Sequence, residues 1–323
     1  MKDFMLSVVV PVYKEEANIT PFIDRMVSVM QKIECDYEII FCLDPSPDDT
    51  YGVIKNHIET NGKIKLIQFA RRFGQPTATL AGIHASEGDA CVIIDVDLQD
   101  PPELIEEMVQ KWQDGYDVVY AKRRSRKGET VVKRMIAGMG YRLINKYSEV
   151  SIPVNTGDFR LIDRKVADEI SMNGEHHGFL RGMVAGVGFK QTEVLYDRDE
   201  RASGSGNYNP FTGSWRIGLN GLFCYSYMPL GFMTAFGAIF IFICCLLLLF
   251  SIIQTIIFGR SSVPLSAVTI MFIGSIQIFF TAMLGEYISR IYEEVKHKPK
   301  YIVGQTENIS DSQIKAMNQK RIL

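Results

Sequence analysis

The first two thirds of the chain alternate short apolar runs with segments in which apolar residues recur every three or four positions. Runs rich in β-branched residues predict buried strands, and the recurring spacing predicts helices. This alternation is typical of βαβ units, in which mostly parallel strands form one sheet covered by helices on both faces. The predicted strands are residues 6–12, 37–43, 63–69, 90–94, 117–121, 159–162 and 187–195.

The helical segments lie between these runs. Polar or charged residues follow the strands, and right-handed crossovers bring the ends of parallel strands to one edge of the sheet. These residues are therefore expected to meet in a single crevice, which is where open α/β sheets bind ligands. The predicted helices are residues 18–33, 104–112, 131–147 and 163–172, and two more end near residues 59 and 86.

The last third of the chain contains two long segments without Asp, Glu, Lys or Arg, at residues 217–259 and 261–285. A helix crosses the apolar core of a bilayer in about 20 residues, so each segment is long enough to do so. The pattern predicts two transmembrane helices, residues 228–257 and 264–288, joined by a short turn. Two buried helices of a globular core are the alternative.

The distribution of basic residues predicts the orientation of these helices. The turn between them carries only Arg260, whereas several basic residues follow the second helix at once. By the positive-inside rule, both termini are expected to be cytoplasmic. No signal peptide is predicted, because Lys2 and Asp3 lead directly into the first strand. The basic residues after the second helix are Arg290, Lys296, Lys298 and Lys300.

The segments that flank the predicted spans are of two kinds. Residues 211–225 carry an apolar stripe with Trp215, which predicts an interfacial amphipathic helix, with a buried core helix as the alternative. Residues after 301 are expected to form a polar tail. The predicted divisions are an α/β domain at 1–210, a juxtamembrane helix at 211–227, the transmembrane helices at 228–288 and a cytoplasmic C-terminal tail at 289–323.

Composition narrows the range of partners and sites. The 323 residues carry a formal net charge of −2, which gives no reason to expect a nucleic acid partner. The six cysteines form no Cys-x-x-Cys pair and are expected to be reduced thiols. No Gly-x-Gly-x-x-Gly follows the first strand, and no P-loop motif is present, which argues against a dinucleotide site and excludes a P-loop.

The candidate chemistry centres on the end of the fourth predicted strand. Asp95 and Asp97 follow its apolar run, and Asp100 precedes two prolines that end the strand. Carboxylates at this edge of a sheet suit a hard cation such as Mg²⁺ or Mn²⁺, usually shared with a phosphate. A solvated Asp-rich turn is the alternative for such a motif taken alone.

Basic residues are expected at the same edge. Residues 122–134 form a basic loop after the fifth strand that includes Arg123 and Arg126, although a solvated run of charges has the same composition. Asp158 stands in a turn beside Gly157 at the next strand, where a capping role is the alternative. The crevice is thus predicted to combine acids and bases, as a site for phosphate groups requires.

Seven motifs stand at or near these strand ends: residues 10–16, 44–50, 73–75, 95–103, Arg123 with 126–129, 156–160 and 201–208. Together with the two apolar C-terminal segments, they resemble the family 2 glycosyltransferases of the GT-A fold. Within that family the chain is similar to the dolichyl-phosphate mannose synthase-like polyprenyl-phosphate glycosyltransferases, and most of all to the bacterial bactoprenol glucosyltransferases. The resemblance covers residues 5 to about 300.

This resemblance implies a GT-A domain with a Rossmann-like, mostly parallel sheet, followed by an interfacial helix and two transmembrane helices. It implies a metal-dependent, inverting transfer of a hexose from a UDP-sugar to polyprenyl (undecaprenyl) phosphate at the cytoplasmic face of the bacterial inner membrane. The product would serve cell-surface glycan modification, such as that of lipopolysaccharide O-antigen. Glucose is the favoured sugar, with GlcNAc, galactose, mannose or aminoarabinose as alternatives, and a homo-oligomer is compatible with the assignment.

Roles carry over by position in the motifs. The resemblance implies that Asp95, Asp97 and Gln99 bind Mg²⁺ or Mn²⁺ and that Asp97, Asp158, Arg123 and Arg201 are catalytic. The residues implied for binding the nucleotide sugar are Pro11, Tyr13, Glu15, Asp44, Gln75, Asp95 and Val96. Those implied for binding the acceptor phosphate are Arg123, Arg126, Arg201 and Tyr208.

Two departures from the family pattern keep a different class of function open. Leu43 and Pro45 replace an Asp and a Gly of the usual Asp-Asp-Gly-Ser, and Gly206 and Asn207 replace a Ser-Lys pair that bears on phosphate binding. A catalytically inactive, membrane-anchored scaffold that binds a nucleotide sugar is therefore the alternative. A processive polysaccharide synthase is disfavoured, because no Gln-x-x-Arg-Trp motif is present.

The residues also predict which chemistry the site does not need. A polyprenyl phosphate is already an anionic nucleophile, so a strong general base is not essential. Asp158 is expected to orient the acceptor or the sugar hydroxyls rather than to act as a base. Arginines that form forked hydrogen bonds to phosphate oxygens would bring the two anionic substrates together.

Overall fold

A computed structural model describes residues 4–124, 156–172, 180–198 and 263–321 except residue 297, together with scattered residues between 232 and 259. The strands are β1 (Met5–Val12), β2 (Asp36–Leu43), β3 (Ile64–Phe69), β4 (Ala90–Ile93), β5 (Val118–Arg123), β6 (Thr156–Asp163), β7 (Gln191–Tyr196) and β8 (Val303–Glu307). The helices are α1 (Glu16–Ile33), α2 (Thr50–Thr60), α3 (Gln75–Ala85), α4 (Leu104–Gln113), α5 (Arg164–Met172), α6 (Leu180–Gly186), α7 (Val263–Val295) and α8 (Asp311–Lys320).

The described strands form one sheet in the order β7-β5-β6-β4-β1-β2-β3-β8. β6 and β8 run antiparallel to their neighbours, and the other strands are parallel to one another. The predicted α/β class with a mostly parallel sheet is therefore confirmed. Because β6 and β8 are reversed, their first residues lie at the edge where the parallel strands end.

Two core layers explain why the strands are almost uniformly apolar. In β1, Val8 and Val10 pack with α1, α2 and α4, whereas Val9 packs on the opposite side with α3, α5 and α6. A parallel sheet that is covered on both faces buries successive side chains in both layers. The helical spacing predicted for α1 is present, with its apolar residues turned toward the first layer.

The predicted element boundaries differ from the structure mainly around β7. The strand predicted at 187–195 begins only at Gln191, because α6 and a turn at Gly188, with φ of 74°, occupy the preceding residues. The predicted helix at 131–147 and interfacial helix at 211–225 lie outside the described residues, as do Arg126, Arg201 and Tyr208.

The longest described helix is α7, which runs for 33 residues. Large apolar side chains along it are exposed, including Ile270, Ile278 and Ile288 at 69%, 72% and 65%. Within the described ranges, no helix has both the length and the apolarity needed to cross a membrane. The two predicted spans are thus not supported by this part of the chain, and much of the first falls outside it.

The segment after α7 differs from the polar tail that the sequence predicts. β8 pairs with the edge strand β3, and the Ala70 amide donates to the Ile302 carbonyl at 2.9 Å. α8 then packs against α3. The composition of β8 is polar because it is an edge strand with one face in solvent, yet it completes the hydrogen bonds of β3. Residues 301–321 therefore belong to the α/β domain.

A buried polar cluster at the amino end of the sheet anchors α8. The side-chain amide of Gln313 donates to Glu38 Oε2 at 3.1 Å, and its oxygen accepts from Lys65 Nζ at 3.0 Å. Glu38 also accepts from Lys65 Nζ at 2.7 Å and from the hydroxyl of Ser7 and the amide of Glu87. Because its charge is both paired and hydrogen-bonded, the buried Glu38 is stable in this position.

Two lysine–carboxylate pairs with the same 2.7 Å separation give a matched test of this cluster. Lys65→Met leaves Glu38, with a side chain only 2% exposed, without its counter-ion and should lower the free energy of unfolding by about 3–5 kcal/mol. Lys63→Met breaks the exposed pair with Asp36 and should cost at most about 1 kcal/mol. Guanidinium unfolding followed by circular dichroism measures both, and equal effects would contradict the assigned role of the cluster.

Candidate functional site

The acidic motif after β4 forms a tight turn. Leu98 has a φ of 58°, in the left-handed region that costs a non-glycine residue about 1–2 kcal/mol. Its side chain packs into the first core layer, which holds this conformation in place. Leu98 lies between Asp97 and Gln99, and the backbone amide of Gln99 donates to Asp97 Oδ1 at 3.1 Å. The turn thereby fixes Asp97 and Gln99 at the end of the sheet.

Asp95 lies where negative charge is concentrated. Burial, followed by repulsion from Asp158, Asp100 and Asp97, raises the pKa of Asp95 to about 8. One of its oxygens accepts a hydrogen bond from Gln75 Nε2 at 2.7 Å. Crowded carboxylates disfavour the charged form of each other, and a bound cation removes that penalty.

The oxygen ligands of this turn therefore fit a divalent ion, although they do not complete its coordination by themselves. Among the described residues, no three side chains of His, Cys, Asp or Glu are grouped as ligands for a metal ion. Mg²⁺ is typically held by one or two carboxylates together with substrate phosphates rather than by protein alone. Asp95 and Asp97, with the side-chain oxygen of Gln99, are the residues of this turn that suit such an ion.

The loop between β3 and α3 is tied to the end of β2. Asp44 is buried, and its two carboxylate oxygens accept from the backbone amides of Phe73 and Gly74 at 2.9 and 2.8 Å. Gly74 has a φ of 89°, which suits glycine, and it immediately precedes Gln75. We call residues 71–75 the donor-side loop, because Asp44, Gln75 and Asp95 are residues predicted to bind the nucleotide sugar. It connects Asp44 on one side with Asp95 on the other.

Of the other residues predicted to bind the nucleotide sugar, Tyr13 and Glu15 are partly exposed, whereas Pro11 and Val96 are buried. Tyr13 lies at the crevice with the guanidinium of Arg72 stacked 3.9 Å from its ring centre. Glu15 accepts a hydrogen bond from Asn18 at 2.5 Å. Pro11 is buried within β1, and Val96 packs into the first core layer, so both support the site from beneath.

Arg123, at the end of β5, belongs to a cluster around Asp100. Asp100 is 2% exposed, accepts a hydrogen bond from the Tyr196 hydroxyl, and lies 3.8 Å from the Arg123 guanidinium and 3.4 Å from that of Arg198. Arg123 Nε also donates to the Tyr196 hydroxyl at 3.1 Å. The sequence groups Asp100 with the carboxylates expected to suit a cation, whereas here it contacts arginines. Tyr196, the last residue of β7, and Arg198, two residues later, are not among the predicted site residues.

Asp158, at the start of the reversed strand β6, is held by Arg181 of α6. Arg181 Nε donates to Asp158 Oδ1 at 2.8 Å. Burial opposes the ionisation of Asp158, but the charge and hydrogen bond of Arg181, with Arg160 and Arg123, keep its pKa below the usual range. A carboxylate whose pKa is lowered is a weaker proton acceptor, which favours an orienting role.

Arg160 supports this end of β6 from within the protein. Its buried guanidinium donates to the Gly157 and Asp158 carbonyls at 3.0 and 3.3 Å, and burial lowers its pKa to about 10. Arg160 therefore stays charged at neutral pH. The described site thus combines an acidic turn with fixed guanidinium groups, which is an arrangement suited to a cation and phosphate groups together.

Comparison with known proteins shows the family of this chain. Glycosyl transferase family 2 matches residues 7–171. An uncharacterized glycosyltransferase of Synechocystis sp. is 43% identical, covering 92% of this chain and 94% of its own. The bactoprenol glucosyl transferase of Shigella phage SfV is 38% identical, covering 92% and 97%.

A solved structure gives a more distant likeness. The glucosyl-3-phosphoglycerate synthase of Mycobacterium tuberculosis, in complex with Mn²⁺, UDP and phosphoglyceric acid, is 18% identical over 67% of this chain and 75% of its own, with a TM-score of 0.46. The family match over half of the chain and the near-complete coverage by its relatives identify this protein as a glycosyltransferase that belongs to glycosyl transferase family 2.

Proposed function

We propose that this glycosyltransferase moves a sugar, with glucose favoured, from a UDP-sugar to polyprenyl phosphate with inversion at the anomeric carbon. The observation that carries the proposal is the meeting, at one edge of the sheet, of the Asp95–Asp97 turn with arginines 123 and 198. Relatives named bactoprenol glucosyl transferase, 38% identical over 92% of this chain, support the choice of lipid and sugar.

The acidic turn and the donor-side loop would bind the nucleotide sugar. Asp97, Asp95 and Gln99 would hold a Mg²⁺ or Mn²⁺ ion, which when bound neutralises the departing diphosphate. Gln75 keeps the Asp95 carboxylate in place through its 2.7 Å hydrogen bond. Tyr13 and Asp44 lie on the nucleoside side of this arrangement.

The guanidinium cluster would bind the acceptor. Arg123 and Arg198 are held by Asp100 and Tyr196, so they need little rearrangement to form forked hydrogen bonds with phosphate oxygens. Arg126, Arg201 and Tyr208, which lie outside the described residues, complete the acceptor side of the proposal.

The transfer step balances without a proton acceptor. An oxygen of the polyprenyl phosphate attacks the anomeric carbon from the face opposite the diphosphate, and a new carbon–oxygen bond forms. The bond from that carbon to the diphosphate oxygen breaks, and its electron pair leaves with UDP. Because the nucleophile is an anion, Asp158 serves to orient the acceptor or the sugar, in line with its lowered pKa.

The position of α7 supports a lipid acceptor. β8 begins at the same edge of the sheet as Asp95, and the extended chain from Val295 to Val303 spans at most about 28 Å. The carboxyl end of α7 is therefore within reach of this edge of the sheet, and large apolar side chains along α7 are exposed. We place the protein in the bacterial inner membrane, with the catalytic domain and both termini on the cytoplasmic side.

The first prediction from the proposed function concerns the reaction itself. Purified protein with undecaprenyl phosphate, Mg²⁺ and radiolabelled UDP-glucose should produce label that extracts into organic solvent. Asp97→Asn should reduce the rate at least about 100-fold, because Asp97 would hold the metal ion that neutralises the leaving diphosphate. Asp36→Asn, which alters an exposed carboxylate at the opposite end of the sheet, should leave the rate unchanged.

The outcomes of this assay separate the candidate functions. Label with another UDP- or GDP-sugar, but not with UDP-glucose, would correct the sugar and keep the reaction class. Nucleotide binding without transfer across the whole panel of sugars would refute the transferase and favour the scaffold.

The second prediction concerns Asp158. Arg181→Met removes the charge that lowers its pKa, so burial dominates and the pKa rises. Since the site requires ionised Asp158, activity should begin to fall at a higher pH than in the wild type as the solution is acidified. Arg164→Met is the control, because Arg164 has a similar side-chain exposure of 26% against 21% but bonds to Gly88 and Ser86. An unshifted acid limb in Arg181→Met would contradict the pairing.

A further inference from the structure

A chain of aromatic rings leads from the segment after α7 to the donor-side loop. Tyr301 is fully buried, and its ring meets that of Phe69 edge-on at 5.9 Å between centroids. Phe69 meets Phe73 in the same way at 5.8 Å. The guanidinium of Arg71 lies 4.0 Å from the centre of the Phe73 ring. The aromatic chain Tyr301–Phe69–Phe73 thus ends inside residues 71–75.

Tyr301 is itself held in one orientation. Its hydroxyl lies 3.0 Å from His84 Nδ1, and the His84 ring packs against it with centroids 5.7 Å apart. Burial, with the charges of Lys300 and Lys320, lowers the pKa of His84 to about 3, so the imidazole is neutral. The backbone around Tyr301 is fixed by the Ala70–Ile302 hydrogen bond, which joins the start of β8 to the end of β3.

The loop that these rings support makes the contacts that define the donor side of the site. Phe73 and Gly74 give their amides to Asp44, and the next residue, Gln75, bonds to Asp95. A shift of the Phe73 ring would move its own amide and loosen both connections. Packed interiors transmit such shifts, because they contain few voids that could accommodate a displaced ring.

We propose that Tyr301 is a positioning residue for the nucleotide-sugar subsite, acting through Phe69 and Phe73 on residues 71–75. This inference rests on the proposed function only because it assumes that residues 71–75 belong to the nucleotide-sugar subsite. Five residues, 296–300, separate Tyr301 from the end of α7, so the residue that supports the donor-side loop lies close in sequence to the apolar helix. The segment after α7 thereby contributes to the site as well as to the fold.

The test compares two aromatic residues with similar surroundings. Tyr301→Leu removes the ring but keeps an apolar side chain. Phe22→Leu is the matched control, because Phe22 is also fully buried and meets a sheet residue, Phe41, edge-on at 6.2 Å, but in the opposite core layer. Tyr301→Phe retains the ring and removes only the hydroxyl.

Two measurements on the full-length protein decide the outcome. Hydrogen exchange at the Phe73 and Gly74 amides, without ligand, should be faster in Tyr301→Leu than in Phe22→Leu. Titration with UDP and Mg²⁺ should show about a tenfold weaker affinity for Tyr301→Leu and little change for Phe22→Leu. Tyr301→Phe should stay close to the wild type in both, since the ring contacts remain.

Equal effects of Tyr301→Leu and Phe22→Leu in both measurements would overturn the inference, because Tyr301 would then act only through general stability. The exchange measurement needs no substrate, so it tests the inference even where no sugar transfer is found. A wild-type protein that transfers sugar while Tyr301→Leu keeps normal exchange and normal UDP affinity would retain the proposed function and refute this role.

Discussion

Repulsion among carboxylates at one edge of the sheet is the constraint on which the site depends. Asp100 is paired with Arg123 of β5 and with Arg198, which follows β7. Asp158 is paired with Arg181 of α6. At Asp95, burial and then the neighbouring charges of Asp158, Asp100 and Asp97 raise the pKa, so its charged form is favoured only when a cation is bound. The crevice therefore has an acidic side that favours a cation and a side with fixed guanidinium groups, as the transfer proposed above requires.

The sequence predicts the parts of this site that follow from local pattern. Asp95 and Asp97 come directly after an apolar run, and Arg123 ends another, so the rule that strand ends share an edge is enough to bring them together. The partners of those residues are beyond such reasoning. Tyr196 bonds to Asp100 and Arg181 to Asp158 across long stretches of chain, and each contact depends on the order and direction of strands that periodicity does not specify.

The C-terminal segment shows a second reason for a missed element. β8 is short and polar, and α8 has few apolar residues, so neither shows the periodic apolar pattern that indicates burial. Their stability comes from tertiary contacts: the open edge of β3 accepts β8, and Gln313 fits into the buried cluster around Glu38. Polar residues that are buried with their partners look the same in sequence as solvated ones, because hydrogen bonding rather than hydrophobicity makes their burial tolerable.

The two reversed strands have a common consequence for the active site. A strand that runs against a parallel sheet starts at the edge where its neighbours end. β6 therefore delivers Asp158 to the crevice, and the start of β8 brings Tyr301 beside the end of β3. In both cases a reversed strand enters the sheet at the edge that carries the candidate site. The same reversal that interrupts the regular fold places Tyr301, just before β8, in contact with the aromatic rings that lead to the donor-side loop.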